Sequence, residues 1–184
     1  MPYFRMDWRV DQEALGLNLA DLASVPSTGF PWTMGLAWDR KPPDPIRAEI
    51  DPESGTDLPD AFLVGVPFLS EKLLGTLERA GVGNVATFNA ELVDPRTGTV
   101  HRHYKATNII GAVSCADLER SEFVPGIDPP MMEFRHLVID AQRARGLPLF
   151  RLAENTLYIL VSAKVKQALE AAALVGIRFE PIEE

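Results

Sequence analysis

One cysteine, Cys115, stands among 184 residues, and only three histidines accompany it. A lone thiol closes no internal disulfide and builds no thiolate metal cluster. No apolar run approaches the roughly 20 residues that span a bilayer. The opening MPYFRMDWRVDQE lacks a basic segment followed by an apolar one, so no secretory signal is read there. Basic residues are also scarce. Lys and Arg number 18 against 26 Asp and Glu, a formal charge of -8, which disfavours nucleic-acid phosphates as a partner. Together these absences predict a cytoplasmic protein with neither a membrane nor a nucleic-acid partner. The acid surplus suits a basic protein partner, and it equally suits solubility alone.

What is present reads as an ordinary globular chain. Hydrophobic residues at 46% and charged residues at 24% are sufficient for a packed core, and the length fits one domain over 1–184. The most ordered stretch is LYILVSAKVKQALEAAALVGIRFEP, Leu157 to Pro181. An apolar run ends at Ser162, whose hydroxyl is suited to cap a helix start. Val165, Ala168, Leu169 and Ala172 then fall on one helical face. Gly176 is the expected helix exit, and Ile177 to Phe179 alternate as a strand does.

The pattern recurs 92 residues earlier. Ser70 aligns with Ser162, Leu73 with Val165, Leu77 with Leu169, Ala80 with Ala172 and Val85 with Ile177, without a gap. A duplication explains this, and so does the general likeness of serine-capped amphipathic helices. Sequence alone leaves both open.

Elsewhere Tyr3 to Val10 reads as a strand with Phe4, Met6 and Trp8 on one face. Residues 18–60 lose all periodicity under seven prolines, and Ile46 to Ile50 is the one strand expected there. Trp32 and Trp38 predict that this segment packs over the remainder, because indoles bury large apolar area. Asp39 to Asp60 carries seven carboxylates against Arg40, Lys41 and Arg47, half of the net charge. Ala61 to Val66 predicts a strand. Asn84 to Val93, the turn Asp94-Pro95-Arg96-Thr97-Gly98 and Val100 to Ile109 predict an antiparallel hairpin. Phe134 to Asp140 and Leu149 to Leu152 are further strands. The expected class is α+β, a mixed, largely antiparallel sheet with two helix-strand units near 70–92 and 162–181 in a core of 61–184.

The second half resembles the eleventh class of immunity proteins of bacterial polymorphic toxin systems. The resemblance rests on Tyr104, Asn108, Asp117 and Ser121. It continues through Asp140, Phe150-Arg151-Leu152, Val161-Ser162, and Gly176, Phe179 and Pro181. It implies a small cytoplasmic protein that binds and neutralises a toxin domain encoded beside it, with no cofactor and no catalysis.

Chemistry read from the residues agrees. His101 and His103 point to one side of a strand, but with His136 as the only other histidine they are read as an exposed polar face and no metal site is expected. Cys115 has no local base to make it a nucleophile. Ser70 and Ser162 lack a nucleophile elbow, and Gly81-Val82-Gly83 follows a helix where a phosphate loop would precede one. Pairs such as Glu49 and Asp51 lie in a solvated acidic stretch, so no catalytic residue is named. The partner-binding candidates are Trp32, Trp38, Asp39, Asp51, Glu53 and Asp57, aromatic anchors in an acidic rim. The alternatives are an enzyme of unrecognised type, a hydrolase or transferase with scattered carboxylates, and a regulatory interaction domain.

Overall fold

The computed structural model describes residues 2–8, 30–63 and 65–184. Arg9, Val10, Val64 and the first part of the proline-rich segment, 18–29, lie outside the described residues. Those described form, in order, β1 (Tyr3–Trp8), β2 (Ile46–Glu49), β3 (Ala61–Phe62), β4 (Phe68–Ser70), α1 (Glu71–Arg79), β5 (Val85–Asp94), β6 (Thr99–His101), β7 (Tyr104–Ile109), β8 (Ala112–Val113), β9 (Glu122–Phe123), β10 (Phe134–His136), β11 (Leu149–Leu152), β12 (Ile159–Ser162), α2 (Ala163–Ala171) and β13 (Ile177–Pro181). One sheet runs β13-β1-β12-β11-β8, and a second runs β2-β5-β7-β4-β3 with β6 added to β5. Only the β8–β11 and β2–β5 ladders are parallel among those described. The protein is α+β with mixed, largely antiparallel sheets, as its residues predicted.

The two helix-strand units match in atomic detail. Ser70 and Ser162 both adopt extended backbone ahead of nine-residue helices. Each hydroxyl accepts the amide three residues on, from Leu73 at 3.1 Å and from Val165 at 3.4 Å. Both helices end on an alanine, Ala80 and Ala172, and the next residue takes positive φ, 96° at Gly81 and 48° at Ala173.

The strands entering and leaving each helix clasp an antiparallel third strand, β7 in one unit and β1 in the other. Ser70 lies opposite Tyr104 and Ser162 opposite Tyr3. Val85 lies opposite Ile109 and Ile177 opposite Trp8. Each tyrosine hydroxyl donates to a carbonyl just ahead of the preceding hairpin strand, Pro59 for Tyr104 and Leu147 for Tyr3. Each ring packs on the equivalent phenylalanine, Phe62 or Phe150. The offset of 92 is therefore an offset of hydrogen-bonded register, which amphipathic helices alone do not produce.

Alternation along the strands then divides the core. Leu69, Ile109, Leu149, Ile159 and Val161 face the helices and share one cluster with Leu73, Leu77, Val165 and Leu169. Residues on the opposite faces pack under two separate covers. Phe62, Phe68, Ala90, Leu92, Tyr104 and Ala106 lie against Phe30 and Trp32. Tyr3, Phe150, Leu152 and Leu160 lie against Cys115, Ala116, Ile139 and Ala144. The covers come from 30–38 and 115–144, which have no counterparts in the 92-residue alignment.

Some strands are shorter than their residues predicted. The return strand after the Asp94 turn is broken, because Leu92 pairs with His101 while Asn89 pairs with Lys105, leaving one extra residue on the return side. Such a bulge turns β6 away from β7. Ala61–Phe62 alone forms the first strand of its hairpin, and Gly65 at φ 58° lies in the bend before β4. Phe134–His136 stops at a register shift against Glu122.

Candidate functional site

The segment carrying the expected binding residues is tied down by polar contacts to both sheets. Trp32 is 4% exposed and belongs to the core. Its ring meets Trp38 edge-on at 4.6 Å, Trp38 stacks on Phe88 at 5.5 Å, and Phe30 meets Trp38 at 5.1 Å. The Arg40 guanidinium lies over the Phe30 ring, a cation–π contact. Gly35 must be glycine for two reasons: its φ is +70°, and a Cβ would stand 3.0 Å from the Gly111 carbonyl carbon. Gly111 N–H donates to Gly35 O, and Asn108 Nδ2 donates to Leu36 O. Trp38 is half-buried and Asp39 exposed.

The remaining expected residues sit on the loop after β2. Asp51 accepts the Glu53 amide at 2.9 Å, an Asx turn, and Glu53 and Asp57 are exposed. Arg96 holds this loop by donating to the Gly55 carbonyl while both Asp94 oxygens accept its guanidinium. The Arg96 hydrogen bonds hold the Asp94 carboxyl below its ordinary range. The structure thus joins Trp32 to Trp38, runs Asp39 on from them, and gathers Asp51, Glu53 and Asp57 on a second, clamped loop.

A different acidic feature was not anticipated. A cleft of about 680 Å³ opens between the turn Asp117 to Arg120 and the turn Asp140 to Arg143. Asp117, Glu119, Asp140, Glu154 and Glu184 line it together with Arg120 and Arg143, and Ala116, Leu118, Ile139 and Ala141 supply apolar surface. Its two turns are strapped side by side: Ala116 bridges Ile139, Asp117 N–H donates to Val138 O, and Asp140 N–H donates to Cys115 O. Each turn is closed by its own aspartate, Asp117 accepting the amides of Glu119 and Arg120, and Asp140 that of Gln142. Both guanidiniums are already engaged, Arg120 with Glu183 at 3.0 Å and Arg143 with Asp140 at 3.2 Å. Glu154 is 6% exposed. Its Oε1 accepts the Ser114 hydroxyl at 2.6 Å, and its Oε2 has no hydrogen-bond partner among the described residues. Asp117 and Asp140 belong to the pattern of the family resemblance, which was the available signal. Glu154, in LAENTL, had none.

Burial, then the Glu154 and Asp140 charges, push the Cys115 thiol up to about 12, so it stays protonated. His101 and His103 meet edge-on at 5.7 Å, and burial, with the neighbouring ring second, lowers the His101 pKa. Among the described residues no group of three or more His, Cys, Asp or Glu is arranged to hold a metal ion. Arg151 is almost fully buried and donates to the carbonyls of Thr156 and Trp32. Burial lowers its pKa to about 10. It links β11 to the Trp32 cover.

The chain belongs to the Imm11 immunity protein family, whose model matches residues 5–184. The family likeness therefore extends well beyond the second half, where the recognisable residues lie, through the proline-rich segment to β1. No curated protein matches the chain. No helix among the described residues is long and apolar enough to cross a membrane.

Proposed function

We propose that the protein binds a cognate toxin domain encoded nearby and neutralises it in the cytoplasm by stoichiometric contact, without catalysis or a cofactor. The observation that carries this reading is family membership over nearly the whole chain. Trp38, Asp39, Asp51, Glu53 and Asp57 form an acidic partner-binding surface, and Trp32 acts from beneath by fixing the Trp38 ring. A rigid aromatic base under exposed carboxylates suits a basic partner: the rings resist displacement, and the charges steer the encounter. The test is co-purification of the chain with the products of its neighbouring genes, followed by calorimetry at two salt concentrations. A one-to-one complex that weakens with salt is expected. Failure to bind either neighbour's product would remove the reading.

A further inference from the structure

Building on that reading, we infer that the cleft between the Asp117 and Asp140 turns is a socket for an arginine side chain of the partner polypeptide, with Glu154 as the charge at its base. Three independent features meet there. Glu154 is a carboxylate removed from water with one oxygen unsatisfied. Buried polar atoms are almost always hydrogen-bonded, and a carboxylate accepts several donors, so Oε2 is open to a further donor. Carboxylates outnumber guanidiniums on the lining by five to two, and both guanidiniums are held at the rim by acids. Arg143 offsets Asp140 and Arg120 lies 3.9 Å from Asp117, and the lining as a whole still carries a surplus of negative charge. Lastly, Leu118 is 45% exposed at the mouth, and with Ala116, Ile139 and Ala141 it offers an apolar wall to a methylene stem.

The charge, the spread of acceptors and the wall select the guest. A metal ion lacks its ligand set among the described residues. An ammonium presents three donors from a single point, whereas a guanidinium is a planar fork of five donors spread over two edges. It can reach Glu154 while Asp117 or Asp140 receives the other edge. The strapped turns are set before the guest arrives, so little ordering cost falls on this side of the interface.

Methyl-labelled full-length protein titrated with N-acetylarginine amide, and separately with the neutral isostere N-acetylcitrulline amide, tests this directly. Saturable shifts confined to the Leu118 and Ile139 methyls are expected with the arginine probe, with at least tenfold weaker binding of the citrulline probe and of the arginine probe to Glu154→Gln. Shifts scattered over the surface, equal response to both probes, or an unchanged Glu154→Gln titration would overturn the inference; the last would mean that water satisfies the buried oxygen. Leu118→Lys, on an exposed turn, places a cation at the mouth and should weaken arginine binding likewise, read at the Ile139 methyls, if Glu154→Gln fails to fold. In the toxin complex Glu154→Gln should weaken affinity about thirtyfold or more, the cost of losing one member of a buried charge pair, while Glu78→Gln, on the exposed face of α1 and outside both acidic surfaces, leaves it unchanged. A wild-type chain that binds arginine amide but no toxin would sink the immunity reading alone. A toxin complex indifferent to Glu154→Gln would sink the socket alone.

Discussion

Ser70 and Ser162 occupy equivalent helix caps, yet their removal should not cost the same. Ser162 accepts a single long bond from Val165 N–H at 3.4 Å. Its replacement by alanine is expected to cost about 0.5–1 kcal/mol, the lower part of the usual capping range. Ser70 accepts from Leu73 at 3.1 Å and also donates to Asp60 Oδ1. The other Asp60 oxygen accepts the Val175 amide at 2.8 Å, and the Asp60 and Val175 main chains are bonded as well. Ser70 thus fastens the first unit's helix to the loop that enters β13 of the second. Losing a bond to a charged acceptor adds about 1.5 kcal/mol, the low end of that range because Asp60 is half-buried and water replaces part of it. Ser70→Ala should therefore cost about 2–3 kcal/mol, a urea midpoint lower by roughly 1 M at an ordinary slope. The assay is urea unfolding of both serine variants, Asp60→Asn, and the Ser70→Ala/Asp60→Asn double variant. Coupling between Ser70 and Asp60 of about 1 kcal/mol is expected. Equal costs for the two serines within about 0.5 kcal/mol, or no coupling, would refute the reasoning.

The other predictions concern backbone and burial. Gly176→Ala puts a Cβ 2.6 Å from Pro59 Cβ at φ +79°; left-handed strain and overpacking together should remove about 2–4 kcal/mol, and an unchanged melting temperature would contradict the contact. Ala173 at φ 48° takes the place that Gly81 fills in the other unit, so Ala173→Gly is expected to stabilise by up to about 1 kcal/mol and Gly81→Ala to destabilise by about 1–2, read from the same urea curves. In alkali the buried Cys115 thiol, pushed up to about 12 from an ordinary 9, stays protonated after the unfolded chain has lost its proton. Its stabilising contribution is present below pH 9 and is lost as pH rises, at up to about 1.4 kcal/mol per unit. Cys115→Ala should flatten stability between pH 9 and 10, and identical slopes for the two proteins would show that the thiol is not protected.

How much of this was legible depended on whether a residue's role is local. The caps at Ser70 and Ser162, the helix faces and the Asp94–Gly98 turn follow from neighbours within a few residues, and they stand where the residues placed them. The repeat was visible as an alignment, but what distinguishes it from chance is the pairing of Tyr3 and Tyr104 with the two serines. Tyr3 lies 159 residues before Ser162, and no local pattern ties two such positions. The break between β6 and β7 was hidden because a bulge preserves alternation on either side of it. Glu154 was hidden for the same reason that it matters. Its burial comes from Ser114 and the 115–144 cover, and a carboxylate in LAENTL shows none of that.

The repeat also explains where a binding surface can be built. The strands β3, β4, β5 and β7 match β11, β12, β13 and β1 in register, and the core they share with the helices fixes all eight. A substitution there disturbs two units at once. Outside the repeat lie β2 on the edge of β5, the short β6 also paired with β5, and β8 on the edge of β11, with the two covers that close the outer faces. Asp39 to Asp57 flanks β2, and the cleft begins directly after β8. Both acidic surfaces are thus carried by added segments laid on a rigid repeated frame, the arrangement in which a surface can vary to follow its partner while the core stays constant. It follows that substitutions at Asp51 or Asp117 should change partner affinity with little loss of stability, whereas those at Tyr3 or Tyr104 should do the reverse.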